Sequence, residues 1–358
     1  MKTFEPQKIY VEKAAASHPR AQRILKSFPR ADISYVEDHR RLDFSHLTPG
    51  KRFTEAKKYL AIALKQGAMV KEFRRHDSLN QDKEYYLLHA ENCPFDCSYC
   101  YLQCYFANAV PTIFVNADEL FMQVREILEN ERSDEILFHA GETADALALE
   151  HFSGFAAEAV ELFSRFHNAT LELRTKSDLI DTILPLRHNR RTVVSWTLTP
   201  LEISRKYEVG AASIEERLKA ARKCASAGYP IGLRLDPIIH YHNWQAGYEN
   251  LADLIADALP LETIDSIVLG AFRFQPPLLD VMRARFGRDE LVLAEFVPGP
   301  DGKMRYFRHI REEMYREIIG FFRERNGDKI IEKIELSMEP PYTWEGAGLR
   351  RNSMHTGM

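Results

Sequence analysis

Between residues 84 and 272 the sequence alternates between short apolar runs and amphipathic helical patterns, and this alternation narrows the fold more than any other feature. The runs "EYYLLHA" (84–90), "EILFHA" (135–140), "ATLELRT" (169–175), "RTVVSWTLT" (191–199), "PIGLRLDPII" (230–239) and "SIVLGAF" (266–272) read as strands. Helical patterns lie between them: 117–131, with Leu120, Val124, Ile127 and Leu128 on one face, then 150–166, the short "SDLIDTIL", 213–228 and "AGYENLADLIADAL". The helix at 213–228 starts on Ser213 with Glu216 as its capping-box partner and closes on Gly228. Six strands separated by helices pair in parallel through crossovers. They form either an open doubly wound sheet or a partial barrel. Polar residues gather at the strand ends: the cysteines after the first, Gly141-Glu142-Thr143 after the second, Lys176 after the third. Ser195, Arg234 and Asp236 lie on or at the end of the next two, and Arg273 follows the sixth. A barrel brings such positions to one mouth, whereas an open sheet spreads them along a crevice.

The flanks are less informative. Residues 1–80 read as an N-terminal extension packed on the body, with "FTEAKKYLAIALKQGAMVKEF" (53–73) as a helix running into an extended end. Residues 81–275 form the core. Residues 276–358 form a C-terminal cap with a turn, a long amphipathic helix and a short strand. A chain of 358 residues, 45% hydrophobic and 28% charged, can bury a real core. A net charge of −4 gives no global signature for nucleic acid, although "RHNRR" (187–191) and "KMRYFRHIR" (303–311) are local candidates for phosphate contacts. No apolar run reaches membrane-span length, and the start does not read as a secretory signal. The expected compartment is the cytoplasm, with no membrane partner.

Four of the five cysteines fall in "CPFDCSYCYLQC", at Cys93, Cys97, Cys100 and Cys104. Disulfides suit neither the bunching nor a reducing compartment. Four thiolates can hold zinc, but structural zinc sites usually pin two separated pairs. Iron–sulfur clusters are also held by thiolates on one such run. The first three have C-x3-C-x2-C spacing with Tyr99 just before the third, and this resembles the signature of radical S-adenosylmethionine (SAM) enzymes. That resemblance implies a [4Fe–4S] cluster on Cys93, Cys97 and Cys100, with SAM bound at the iron left open. It also implies an electron donor such as flavodoxin or ferredoxin. Cys104 is then surplus: either a packing residue or a hydrogen-donating thiol. Cys224 reads as plain helix packing.

The same resemblance points to residues around SAM. Glu142 in "AGET" is the natural acceptor for its amino group, with Gly141 allowing close backbone approach. Lys176 and Ser195 would meet its carboxylate. Arg234, inside an apolar strand, needs a partner, and Asp236 two residues on is the candidate.

The chain as a whole resembles the spore photoproduct lyase-like radical-SAM proteins. The likeness runs through "KIYVEKAAASHPRAQRIL", "CPFDCSYCYLQ", "TKSDLIDTIL", "VVSWTLTP", "YEVGAASIEERLKAARKCASAGYPIGLRLDPII", "NWQAGY" and "MEPP". It implies an α/β fold, a partial (β/α)6 TIM-like barrel with N-terminal and C-terminal extensions. It further implies lyase chemistry on UV-damaged DNA. There a barrel cysteine gives hydrogen to the product radical, and tyrosines near the cluster return one to SAM; Tyr99 and Tyr101 match those tyrosines, and Cys104 is the only other nearby thiol. In this chain the donor-cysteine position falls on Glu142, and no cysteine lies between 105 and 223.

Overall fold

The computed structural model describes residues 4–73, 83–131, 135–287 and 289–349. All six expected strands form, as Lys83–Leu87, Ile136–Ala140, Ala169–Thr175, Thr192–Thr197, Ile231–Ile238 and Ile264–Ala271. They pair in parallel in that order. Val70–Glu72 adds antiparallel to the first, and Ile334–Leu336 from the tail adds parallel to the last. The two edge strands do not pair with each other, so the curled sheet is a partial barrel. Its central strands are mostly buried, Thr192–Thr197 wholly so, as a parallel sheet covered by helices requires, while the edge strand Val70–Glu72 is largely exposed. The capping box on Ser213 and Glu216 is present.

Three local expectations fail, each for a physical reason. Residues 53–73 are not a helix. A helix covers Pro49–Ala56, and then Tyr59–Ala63 runs as a strand. Its "YLAIA" is a continuous apolar run, which sequence periodicity cannot assign between helix and strand; burial between two parallel neighbours decides it. The helix expected at "SDLIDTIL" is a series of turns. There the Leu179 N–H donates to Ser177 Oγ (3.1 Å) and the Ser177 N–H to Thr175 Oγ1 (2.8 Å), local bonds that compete with helix formation. The helix at 150–166 breaks into Glu150–Ser153 and Phe155–Phe163 at left-handed Gly154. The Glu150 carboxylate accepts the N–H groups of Ala156 and Ala157 and so caps the second piece.

The region before the barrel contributes a second sheet. Asp32–Val36, Lys8–Glu12, Tyr59–Ala63 and Thr112–Phe114 are parallel, and Ala90–Glu91 closes it antiparallel. Strands from both sides of residue 80 therefore share this sheet. Its last strand ends two residues before Cys93, so the sheet fixes where the cysteine segment begins.

Candidate active site

The cysteine loop leaves the C-terminal end of the first barrel strand and is held at several points. Asp96–Cys97 pairs antiparallel with Glu208–Val209, and the Ser98 N–H donates to the Tyr207 carbonyl at 2.8 Å. Arg285 clamps the Asp96 carboxylate at 2.8 and 2.7 Å. Lys57 donates to the Cys93 carbonyl at 2.7 Å. Inside the loop, the Gln103 amide donates to the carbonyls of Ser98 (3.0 Å) and Cys100 (3.1 Å). This one side chain folds the loop back on itself, a role the sequence reading missed.

Cys93 and Cys97 are buried, Cys100 is half-buried and Cys104 is exposed. Burial pushes the Cys93 thiol up to about 11, with Cys100 adding to the shift. Burial also raises Cys97 well above the ordinary range, and Glu208, Cys100 and Cys93 raise it further. Cys93 and Cys97 thus both lie close enough to Cys100 to be raised by it, whereas among the cysteines only Cys100 perturbs Cys104. This donor set suits a group held by three thiolates. A bound metal would reverse the shifts by taking the ligands as thiolates. Among the described residues, the one group whose ligand atoms lie within 4.8 Å of one another is Glu12, Asp38 and His39.

Tyr99 and Tyr101 sit differently. Tyr99 is buried, and its hydroxyl donates to Glu208, which in turn accepts from Arg217 at 2.6 Å. Lys176 lies 5.6 Å from the Tyr99 ring centroid. Burial opposes the charge of Lys176, but Cys97 and Glu208 outweigh it and hold the ammonium above the ordinary lysine range. Tyr101 is 44% exposed, and its hydroxyl donates to the Glu142 carbonyl.

The barrel interior carries a charge network that the sequence reading mostly missed. Glu172 accepts from Arg174 (2.6 Å), Arg234 (3.2 Å) and His139 (2.6 Å). Arg174 also pairs with Glu142. The expected partner of Arg234 is therefore wrong. Asp236 is held by Arg273 through two bonds of 3.1 Å, and Arg234 turns to Glu172 across the barrel. Burial would raise the Glu172 carboxyl, but Arg174 and Arg234 hold it well below the ordinary range. Burial lowers Arg234, and neighbouring Arg174 lowers it further. The available signal was the charge pair Glu172 and Arg174 at strand spacing inside "ATLELRT", which points both side chains to one face.

Ser195 lies opposite Arg174 and Gly232 in the strand register. It is fully buried, and its Oγ has no hydrogen-bond partner among the described residues. A Cβ on Gly232 would come within 2.0 Å of that oxygen, and one on Gly141 (φ +124°) within 2.7 Å of the Arg174 Cβ. An orphaned hydroxyl and a glycine turn beside paired charges suit a polar, zwitterionic ligand. Glu142 would share its carboxylate between such a ligand and Arg174. The stretch 187–191 immediately precedes the fourth strand and so lies at the opposite end of the barrel.

The family profile described as "Spore photoproduct lyase" matches residues 4–315. Spore photoproduct lyase of Geobacillus sp. (strain Y412MC61) is 29% identical over 303 residues, covering 82% of this chain and 86% of that protein. The Bacillus subtilis (strain 168) protein of that name is 28% identical over 300 residues, covering 82% and 85%. Among solved structures, spore photoproduct lyase complexed with dinucleoside spore photoproduct superposes with a TM-score of 0.80 at 23% identity, covering 94% of this chain and 99% of that one. A profile match over most of the length, with the three-cysteine loop in place, means that the chain belongs to the spore photoproduct lyase family of radical-SAM proteins.

Proposed function

We propose that this enzyme holds a [4Fe–4S] cluster on Cys93, Cys97 and Cys100, binds SAM against Glu142, Lys176, Ser195 and Arg234, and acts on a UV-damaged nucleic acid in the cytoplasm. The observation that carries the reading is the pinned three-thiol loop above an interior lined by Glu142, Arg174, Glu172 and Arg234. When bound, and reduced by a donor such as flavodoxin or ferredoxin, the cluster on Cys93, Cys97 and Cys100 would supply the one electron that cleaves SAM to methionine and a 5′-deoxyadenosyl radical. The protein's own part is to orient and to exclude water. Lys176 and Ser195 meet the SAM carboxylate, Glu142 meets its amino group, and the Glu172 network fixes Arg174 and Arg234. A family member complexed with dinucleoside spore photoproduct supports the lesion as substrate class. The decisive test is anaerobic 5′-deoxyadenosine formation with and without UV-irradiated DNA. Stimulation by irradiated DNA supports the reading. Equal formation without it points to a non-DNA substrate, and colourless protein with one bound zinc points to a non-catalytic role.

Glu142→Ala is expected to weaken SAM binding roughly tenfold, the scale of one charge-assisted hydrogen bond. The cluster absorbance should be unchanged. Equilibrium dialysis of SAM checks this, and wild-type affinity would remove Glu142 from the site.

We propose further that the hydrogen returned to a substrate radical does not come from a thiol on the turn after the second strand. Glutamate at 142 has no weakly held hydrogen, and its carboxylate is occupied by Arg174. Cys104 is exposed at the far end of the loop. Turnover of a synthetic dinucleotide lesion by wild type, Cys104→Ala and Glu142→Cys separates the routes. We expect little repair to thymine by wild type; Glu142→Cys also loses the amino-group contact, so it is assayed at saturating SAM, where repair should rise. Robust repair by Cys104→Ala would sink the thiol argument, and repair by wild type lost in Cys104→Ala would make Cys104 the donor.

A further inference from the structure

The side of the cysteine loop that carries Asp96 is covered by three pieces of chain, and their exposed residues form one surface. Asp96–Cys97 pairs with Glu208–Val209, which sets Val209 opposite Asp96. Arg285 holds the Asp96 carboxylate, and its guanidinium lies over the rings of Phe53 (5.3 Å to the centroid) and Phe286 (4.8 Å). The helices Pro49–Ala56 and Pro276–Phe286 meet there, where a Cβ on Gly50 would come within 3.0 Å of the Ala284 carbonyl oxygen. Val209 is 57% exposed and Phe286 is 37% exposed, although both are apolar. Cys97 directly follows the residue that Val209 faces, so the surface lies one ladder position from a proposed cluster ligand.

The surface is basic. Residues 49–58, 201–209 and 276–286 together carry eight lysines and arginines against four acids, whereas the whole chain has 48 against 52. Those four acids compensate little of it. Glu208 is buried with Arg217, and Glu202 is turned to Tyr241. Glu55 is taken by Lys58 and by the Tyr59 hydroxyl, both at 2.7 Å. Asp280 is exposed and pairs with none of the cations among the described residues. Lys206 and Arg205 are met by Asp289 (3.0 Å) and Glu215 (3.8 Å) from adjoining segments. Lys51 and Arg283 are exposed and enter no ion pair among the described residues. Lys57 gives its ammonium to the Cys93 carbonyl, a neutral oxygen. Positive charge is therefore left over beside the loop.

We propose that this surface, with Lys51, Arg283, Val209 and Phe286 as its contact points, is the docking face for a small acidic flavoprotein of the flavodoxin kind that passes one electron to the cluster. The inference rests on the cluster reading above and deepens it, by naming where the donor lands. A chain of net charge −4 repels an acidic protein as a whole, so a local basic patch decides where such a partner approaches. Arg285 neutralises Asp96, so the partner meets no bare carboxylate next to Cys97. Val209 and Phe286 supply an apolar centre inside a charged rim. They offer a resting place to the apolar edge of a flavin ring, which favours a flavin over a carrier that presents charge alone. In the transfer the reduced flavin loses one electron and the cluster gains it, and no bond forms or breaks.

The test uses the full chain, reconstituted anaerobically, with oxidised flavodoxin as the probe and binding read by calorimetry over a KCl series. The double variant Lys51→Glu, Arg283→Glu is expected to weaken binding about tenfold at low salt and to flatten its salt dependence. The milder pair Lys51→Gln, Arg283→Gln should weaken it less and in the same direction, which keeps the test sound if the reversed pair misfolds. Lys329→Glu, the same charge reversal in the short helical turn Asp328–Lys333, should stay within about twofold of wild type. Dithionite needs no docking face, so 5′-deoxyadenosine formation with dithionite should stay within about twofold of wild type in every variant. Formation driven by reduced flavodoxin should fall with binding. Unchanged flavodoxin binding in both double variants overturns the docking face, and so does equal weakening by Lys329→Glu. The same variant dependence with ferredoxin but not with flavodoxin overturns the flavoprotein as its occupant. Variant-dependent flavodoxin binding by a protein that forms no 5′-deoxyadenosine with dithionite keeps the face and overturns the cluster reading.

Discussion

Cys97→Ala is expected to purify without cluster absorbance and to lose 5′-deoxyadenosine formation by about a thousandfold or more, because an iron–sulfur cluster needs each of its thiolates. Cys104→Ala should keep iron content and activity within about twofold of wild type, the range of a surface substitution. The contrast follows from placement. Cys97 is buried, bridged to the Glu208 strand and perturbed by Cys93 and Cys100. Cys104 is exposed, and of the cysteines only Cys100 perturbs it. Iron analysis and the visible spectrum of both variants check this. Equal loss of iron in the two would mean that the loop uses four ligands.

Glu208→Ala should lower the unfolding free energy by about 3–5 kcal/mol, as expected when one member of a buried ion pair is removed. Glu208 and Arg217 have side chains with no solvent exposure, 2.6 Å apart. Arg217 is further fixed by the carbonyls of Ala212 (2.8 Å) and Thr197 (2.9 Å), so it cannot swing out to water. The same carboxylate accepts the Tyr99 hydroxyl and balances Lys176. Its loss strands two cations and a phenol beneath the cysteine loop. Urea unfolding of the metal-free protein measures the change, and a loss below about 1 kcal/mol would refute the argument. The pair also has a pH signature. Burial would raise the Glu208 carboxyl, but Arg217 and then Lys176 bring it below its ordinary 4.5. A carboxyl depressed on folding contributes stability that is complete above 4.5 and is lost as pH falls through the folded value. Wild type should therefore lose more stability than Glu208→Gln between neutral pH and pH 3.

The cysteine loop was legible in the sequence because its chemistry is local. Cys93, Cys97 and Cys100 lie within one short segment, and their spacing resembles that of the radical-SAM proteins to whose family the chain belongs. The six strands were legible through their runs and the helices between them, and the 213–228 helix through its Ser213–Glu216 box, since backbone periodicity and capping are also short-range. Tertiary structure alone decided what those elements do to one another. Arg234 was visibly in need of a partner, yet strand register chose Glu172, 62 residues away, over Asp236 two residues on. Tyr99 read as a site tyrosine, yet its hydroxyl is committed to Glu208 across 109 residues. The apolar "YLAIA" had no preference of its own, and two parallel neighbours made it a strand. A side chain's partner depends on which strand lies beside its own and in what register, and that is settled by burial over the whole sheet rather than by any nearby residue.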